Sequence, residues 1–310
     1  MNYESALLCM HGMGNLTKGE FEADIAKVKQ NLAERLPANK LSNTYIPAAG
    51  IFYSDITQGQ EDKIWEAMTT QGGLDTGWIR RNTINLIRRF IISGLSDATA
   101  FTGFNDSGAY LPYRDAQQRI YDALKDVHKV CGEIPIVIIS QSLGCQIMSN
   151  YLWDAQLYLR NATLPENKRF PIDRRSIWYD RPYASDVIRD EFLCLQSLKT
   201  WFTTGCNIPI FVSGFKDVRA VHNNRDGYNF NWFNYFDYDD VLGYPLTPLN
   251  VLFNPGNTAG HGQSYANAAT DIQVNANDGI WGTITSSWNP MSHTQYWGDN
   301  TVLEALASRV

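Results

Sequence analysis

The sequence predicts an α/β fold, a mostly parallel sheet of about six strands flanked by helices. Three observations carry that expectation. Ile134-Pro-Ile-Val-Ile-Ile139 is a short, unbroken apolar run of the kind found in strands buried on both faces of a parallel sheet. Strand-like runs alternate with segments of helical periodicity along the chain, which is the order of βαβ units. The chain has 310 residues, 44% of them apolar and 19% charged, enough to bury a core without disulfides or metals. Length alone points to two domains, but single α/β domains of this size are common. The expectation is one domain over 1–310, with insertions at about 58–112 and 156–190.

The elements follow in order. Ser5 to Met10 is a strand that runs into the glycine-rich loop His11-Gly-Met-Gly-Asn15. A helix comes next. Thr17 and Glu20 have capping-box spacing, and Phe21, Ile25, Val28, Leu32 and Leu36 recur at steps of three and four until Pro37. Tyr45 to Tyr53 is expected as the next strand. Ile84, Ile87, Ile91 and Leu95 mark one helical face with Arg80, Arg81, Arg88 and Arg89 nearby. A scaffold helix with a solvated basic side is preferred there to a lid or lipid-facing helix. Ile120, Leu124 and Val127 mark a surface helix that ends near Cys131-Gly132. The central strand turns sharply through Ser140-Gln-Ser-Leu-Gly144 into a helix expected from Cys145 to about Ala155. Gln156 to Asp190, with Pro165, Pro171 and Pro182, reads as an insertion over the core. Strands resume at Leu198 to Phe202, near Trp232 to Phe236, and at Asp271 to Val274, and a helix from Thr301 to Arg309 closes the chain. The aromatic run Tyr228 to Tyr238 is expected as a core strand in preference to a sugar-stacking platform.

Charge and composition exclude several function classes. Lys and Arg number 26 against 32 Asp and Glu, a net charge of −6 with no dense basic block, which argues against nucleic-acid binding. No apolar run approaches the roughly 20 residues a spanning helix needs, so stable membrane insertion is not expected. The N-terminus lacks the cationic start of a secretory signal. Cys9, Cys131, Cys145, Cys194 and Cys206 are scattered through apolar contexts, as reduced, buried thiols of a cytoplasmic protein are. Asn161-Ala-Thr163 is a glycosylation sequon without consequence in that compartment.

The chemistry the residues point to is acyl transfer, which needs a nucleophile, a base, a group to orient the base, and donors for the oxyanion. Ser142 is the candidate nucleophile, because it stands where a buried strand meets a helix, in Ser140-x-Ser142-x-Gly144. The usual form of such an elbow is G-x-S-x-G, small residues letting the backbone cross itself closely; here Ser140 replaces the first glycine. The competing reading is a serine that caps the following helix. The N–H groups of Met13, in the first loop, and Leu143, after the nucleophile, are the candidate oxyanion donors. No G-x-G-x-x-G is present to favour a nucleotide. Of the five histidines, His11 is expected to brace its loop and His128 to be solvated on its helix, while His222 and His261 precede later strands. His293 alone follows the final strand and is the candidate base, with His261 next. Asp237, Asp239 and Asp240 offer the orienting carboxylate; Asp240, directly before Val241-Leu242, is preferred to Asp239, and Asp237 falls early. A divalent cation held by these carboxylates is a minor alternative.

Taken together, these residues resemble the α/β-hydrolase superfamily, in the chain order Ser, Asp, His, and its lipase and esterase branch most. The resemblance extends to W-x-N before the acid, Trp232-Phe-Asn234, and S-H-x-x-Y-W around the base, Ser292-His293-Thr-Gln-Tyr296-Trp297. It implies a triad of Ser142, Asp240 and His293, oxyanion donors Met13 and Leu143, and no cofactor or metal. It also implies a minimal core that begins at the strand normally third, without the two leading antiparallel strands, and lid-like insertions around the mouth of the site. The expected activity is cleavage of a small-molecule or lipid carboxylic ester through an acyl-enzyme. The alternatives are a non-catalytic binding or scaffold protein on the same fold, and an acyltransferase using the same triad.

Overall fold

The computed structural model describes residues 3–12, 16–70, 111–183, 187–256, 261–275 and 295–310. The helix expected around Ile84 to Leu95, and the site candidates Met13 and His293, lie outside the described residues.

The sheet is six-stranded and parallel throughout. Its strands are β1 (Ser5–Met10), β2 (Thr44–Tyr45), β3 (Ile136–Gln141), β4 (Leu198–Thr204), β5 (Asn231–Phe236) and β6 (Ala269–Gln273), in the spatial order β2-β1-β3-β4-β5-β6. Because side chains alternate across a strand, each central strand feeds two cores. Ala6, Leu8, Met10, Ile136, Ile138, Trp201 and Trp232 face one side, while Leu7, Cys9, Val137, Ile139, Phe202 and Tyr235 face the other. That double burial is why β1 and β3 read as unbroken apolar runs. Each buried Leu, Ile or Val contributes roughly 2 kcal/mol through removal from water.

Helices cover both faces. α1 (Lys18–Arg35) starts at Thr17, whose hydroxyl accepts from the Glu20 N–H while the Glu20 carboxylate accepts from the Thr17 N–H, the expected capping box. Its apolar stripe Phe21, Ile25, Val28 and Leu32 lies on the second face of the sheet, together with the terminal helix. The first face carries the helix Pro112–Cys131, with Ile120, Leu124 and Val127 buried, and the helix Leu143–Ala162 that follows β3.

β3, β4, β6 and the terminal helix lie within about two residues of expectation, and two boundaries differ by more. The strand expected over Tyr45 to Tyr53 shrinks to Thr44–Tyr45 and a single bridge between Met10 and Ile51. Pro47 has no N–H to give a ladder, and Gly50 turns the chain at φ +52, packed so close to β1 that a Cβ there would lie 2.7 Å from the Cys9 carbonyl oxygen. The helix after Ser142 runs on to Ala162 rather than ending near Ala155. Gln156 is in it, buried, and exchanges two hydrogen bonds with the backbone of His222. The sequon asparagine is folded shut: Asn161 is fully buried, donating to the Phe170 carbonyl and accepting from the Phe170 N–H, both at 2.8 Å. The aromatic run sits in the core as expected, with Trp201 stacked on Trp232 at 4.2 Å, whereas Tyr238 at its end is exposed. All five cysteines are free, and burial pushes the Cys9 thiol up to about 12. Among the described residues, no helix is long and apolar enough to cross a membrane.

Strand order reverses direction between β1 and β3, so the chain leaves these neighbours toward opposite edges. Beyond their carboxyl ends the connections diverge and open a crevice, the usual ligand position in such sheets. His11 and Gly12 follow β1 there, and Ser142 follows β3.

Candidate active site

Ser142 stands alone at the junction of β3 and the helix Leu143–Ala162. Its N–H still pairs with the Thr204 carbonyl at 3.0 Å, continuing the ladder, while its own carbonyl already accepts from the Cys145 N–H at 2.9 Å. Serving both elements forces the backbone to φ +50 and ψ −123, a region that residues with a Cβ rarely occupy. The capping reading fails, because the Ser142 side chain makes no hydrogen bond to the helix. Its hydroxyl oxygen is buried and without a partner among the described residues. Leu143 is the first residue of the helix, so its N–H has no intrahelical acceptor and carries the partial positive charge of a helix start.

The turn requires small neighbours. A Cβ on Gly144 would overlap the His11 carbonyl oxygen, and one on Gly12 would lie 2.8 Å from the Ser142 Cβ. The segments after β1 and β3 are therefore in backbone contact, which brings His11 and Gly12 beside the serine.

His11 braces that loop. Its Nε2 accepts from the Tyr53 N–H at 3.1 Å, so the proton is on Nδ1, which donates to the Gly12 carbonyl at 2.6 Å. The ring stacks on Tyr53 at 4.2 Å, and the Tyr53 hydroxyl returns a hydrogen bond to the His11 carbonyl. Burial holds the imidazole down to about 4, so it is neutral near pH 7.

A cavity of about 690 Å³ opens beside Ser142, walled by His11, Gly12, Phe21 and Val28 of α1, Gln141, Gln295, and the segment from Trp297 to Thr301. His261, the second candidate base, does not line it. That ring packs edge-on against Trp153 at 4.3 Å and near His222 at 5.8 Å, and burial lowers it to about 3. His128 is half-buried beside Phe192 rather than fully solvated.

The acid loop follows β5. Asp239 is exposed, whereas Asp237 and Asp240 are buried. Asp237 closes a tight turn by accepting from the Asp239 N–H at 2.9 Å. Asp240 accepts from the Leu242 N–H at 2.9 Å and from the Tyr296 hydroxyl at 2.8 Å. The structure thus brings Tyr296 to Asp240, a pairing the sequence did not suggest. Among the described residues no cluster of three metal-ligating side chains forms, at these aspartates or elsewhere.

A second set missed by the sequence holds this loop in place. The Trp232 indole donates to Thr203, Thr203 donates to Asn234, and Asn234 donates to Asp271, at 3.0, 2.8 and 2.7 Å. Asn234 also donates to the Tyr244 carbonyl, and Asp271 accepts from the backbone N–H groups of Leu246 and Thr247. The chain of bonds ties β4, β5 and β6 to the far side of the loop that carries Asp240. Trp232-Phe-Asn234 therefore serves as an anchor, and its spacing puts both polar ends on one face of β5.

No protein-family model matches the chain, and no curated protein matches it. Among solved structures, it is similar to the catalytic core domain of acetyl xylan esterase from Trichoderma reesei, at 11% sequence identity and a TM-score of 0.37, over 100% of this chain and 99% of that one. A similarity of that size carries no argument about chemistry, and the α/β assignment rests on the parallel sheet itself.

Proposed function

We propose that the chain is a serine hydrolase that cleaves a carboxylic ester through an acyl-enzyme. Ser142 attacks the carbonyl, His293 takes its proton and returns it to the leaving alcohol, and Asp240 orients the imidazole. The N–H groups of Met13 and Leu143 bind the oxyanion. Water then releases the acid by the same route, so no cofactor or metal is needed. The observation that carries the reading is the backbone of Ser142. A serine held at φ +50 beside a cavity, with a buried hydroxyl that has no partner among the described residues, stores strain that a structural serine would not need. The buried Asp240 and the loop braced by His11 supply fitting surroundings. Cavity walls that mix aromatic and polar side chains suit a small ester.

The test is labelling with a fluorophosphonate probe together with hydrolysis of a short p-nitrophenyl ester. Wild type should label and hydrolyse, and Ser142→Ala should lose both, with a fall of about 10³-fold or more in kcat/KM. Activity should decline below about pH 6 to 7 as the catalytic imidazole charges. A wild-type protein that neither labels nor hydrolyses is a binding protein, and partition of product toward an added alcohol over water marks an acyltransferase.

A further inference from the structure

We propose that Tyr296 is a positioning residue for the Asp240 carboxylate, fixing its orientation and tempering its charge through a hydrogen bond to Oδ2. The inference rests on the reading of Asp240 as the acid of a serine hydrolase.

Tyr296 is fully buried, with its phenol oxygen 3.0 Å from the Asp237 nitrogen and 2.8 Å from Asp240 Oδ2. A backbone N–H only donates, so the phenol oxygen accepts from Asp237, and its single hydrogen is left for Asp240. The direction of that bond is set by the main chain. The other carboxylate oxygen, Oδ1, accepts from the Leu242 N–H. Gly243 leaves room for the arrangement, since a Cβ there would overlap Asp240 Oδ2. Burial, and then the charge of Asp240, raise the phenol far above its usual value, so it remains a donor throughout the working pH range.

The backbone of Tyr296 is anchored outside the loop that its hydroxyl grips. Tyr296 begins the turn Tyr296–Gly298, which leads into the helix Asn300–Ala307. Asp299 caps that helix by accepting from Thr301 and Val302, and Val302 and Leu306 bury it against the sheet face shared with α1. In the chain, Tyr296 stands three residues after His293. The base and the donor to its acid thus share one short segment, which gives the tyrosine of Ser292-His293-Thr-Gln-Tyr296-Trp297 a role. A carboxylate that orients an imidazole must not rotate, and fixed donors on its oxygens, here the Leu242 N–H on Oδ1 and the Tyr296 hydroxyl on Oδ2, prevent that. Without the donor, more negative charge faces the imidazolium and stabilises it.

Kinetics of wild type, Tyr296→Phe, Asp240→Asn and the double variant on a p-nitrophenyl ester, with fluorophosphonate labelling as a second readout, test this. Tyr296→Phe should lower kcat about tenfold, the size of one lost hydrogen bond to a charged group, and leave KM within about twofold. The acidic limb of its kcat/KM profile should move up by about half a pH unit. Added to Asp240→Asn, the substitution should cost nothing further. Equal losses in both backgrounds with an unmoved limb indicate a purely structural tyrosine and overturn the inference. Inactivity and absent labelling in wild type overturn the hydrolase reading and this inference with it; an active wild type matched by Tyr296→Phe overturns this inference alone. If Tyr296→Phe does not fold, 3-fluorotyrosine at position 296 keeps the shape and strengthens the donor. The limb should then move down, and an unmoved limb overturns the proposal.

Discussion

Strain at Ser142 has a measurable sign that does not depend on any substrate. At φ +50 and ψ −123 a residue with a Cβ sits about 1–3 kcal/mol above its relaxed backbone, whereas glycine does not. Ser142→Ala removes the buried hydroxyl but keeps the Cβ and the strain. Ser142→Gly removes both. Glycine also loosens the unfolded chain, which elsewhere makes it about 0.5–1 kcal/mol worse than alanine. Taking mid-range values, the glycine variant should be the more stable of the two by about 1 kcal/mol. Urea unfolding of both variants, analysed with a common m-value, measures that difference directly. In a thermal melt it corresponds to a shift of about 2 °C. Both variants should be catalytically dead, so a gain in stability coincides with a total loss of activity. The ordinary outcome, alanine more stable than glycine, would mean that the residue is not strained, and the case for a nucleophile at this turn would fall.

Two further outcomes follow from the same geometry. Gly144→Ala puts a methyl group onto the His11 carbonyl, with backbone rather than a flexible side chain as its neighbour. It should cost about 1–3 kcal/mol in urea unfolding and reduce ester hydrolysis, and a variant of wild-type stability would contradict the close crossing of the two loops. The second concerns acid. His11 is lowered from 6.5 to about 4 by burial, so the folded protein binds its proton later than the unfolded chain does. The stability this confers is complete above about pH 6.5 and is lost as pH falls toward 4, by about 3 kcal/mol for this one residue. His11→Gln should flatten the slope of unfolding free energy between pH 6.5 and 4, and an unchanged slope would show that the ring is not held neutral.

What was legible in the sequence was local. The cap at Thr17, the stripe of α1 and the buried runs of β1 and β3 each depend on residues a few positions apart, and all appear, with Leu36 just past the end of α1 and β3 beginning at Ile136. The false length of the second strand has a local cause as well, since Pro47 and Gly50 break a run that looks extended by composition alone. The acid loop is a different case. Three aspartates within four residues look alike in sequence, and what separates them is not local to the motif: Tyr296 reaches Asp240 from 56 positions further along the chain, Asp237 is used by its own turn, and Asp239 faces solvent. Asp271 looked like the start of a strand, yet it is the acceptor that draws Asn234, Leu246 and Thr247 together. Hydrogen bonds between residues tens of positions apart leave no periodicity to read.

The replacement of a glycine by Ser140 shows which part of the elbow is required by physics. On the far side of Ser142, Gly144 meets the His11 backbone, and nothing but a hydrogen fits between the two main chains there. On the near side, Ser140 has neighbours that accommodate it. The residue against it is Cys145, itself small, with sulfur and hydroxyl 3.5 Å apart. The Ser140 hydroxyl accepts the indole N–H of Trp201 at 2.8 Å, in a place where neither group reaches water. A glycine there would leave that N–H buried without an acceptor, at a cost of about 1–3 kcal/mol. Trp201 stacks on Trp232, the first residue of the chain of bonds that ends at Asp271 beside the acid loop. The same serine that departs from the glycine motif therefore links β3 to the hydrogen bonds that hold the loop of Asp240, which gives Ser140 a structural role of its own.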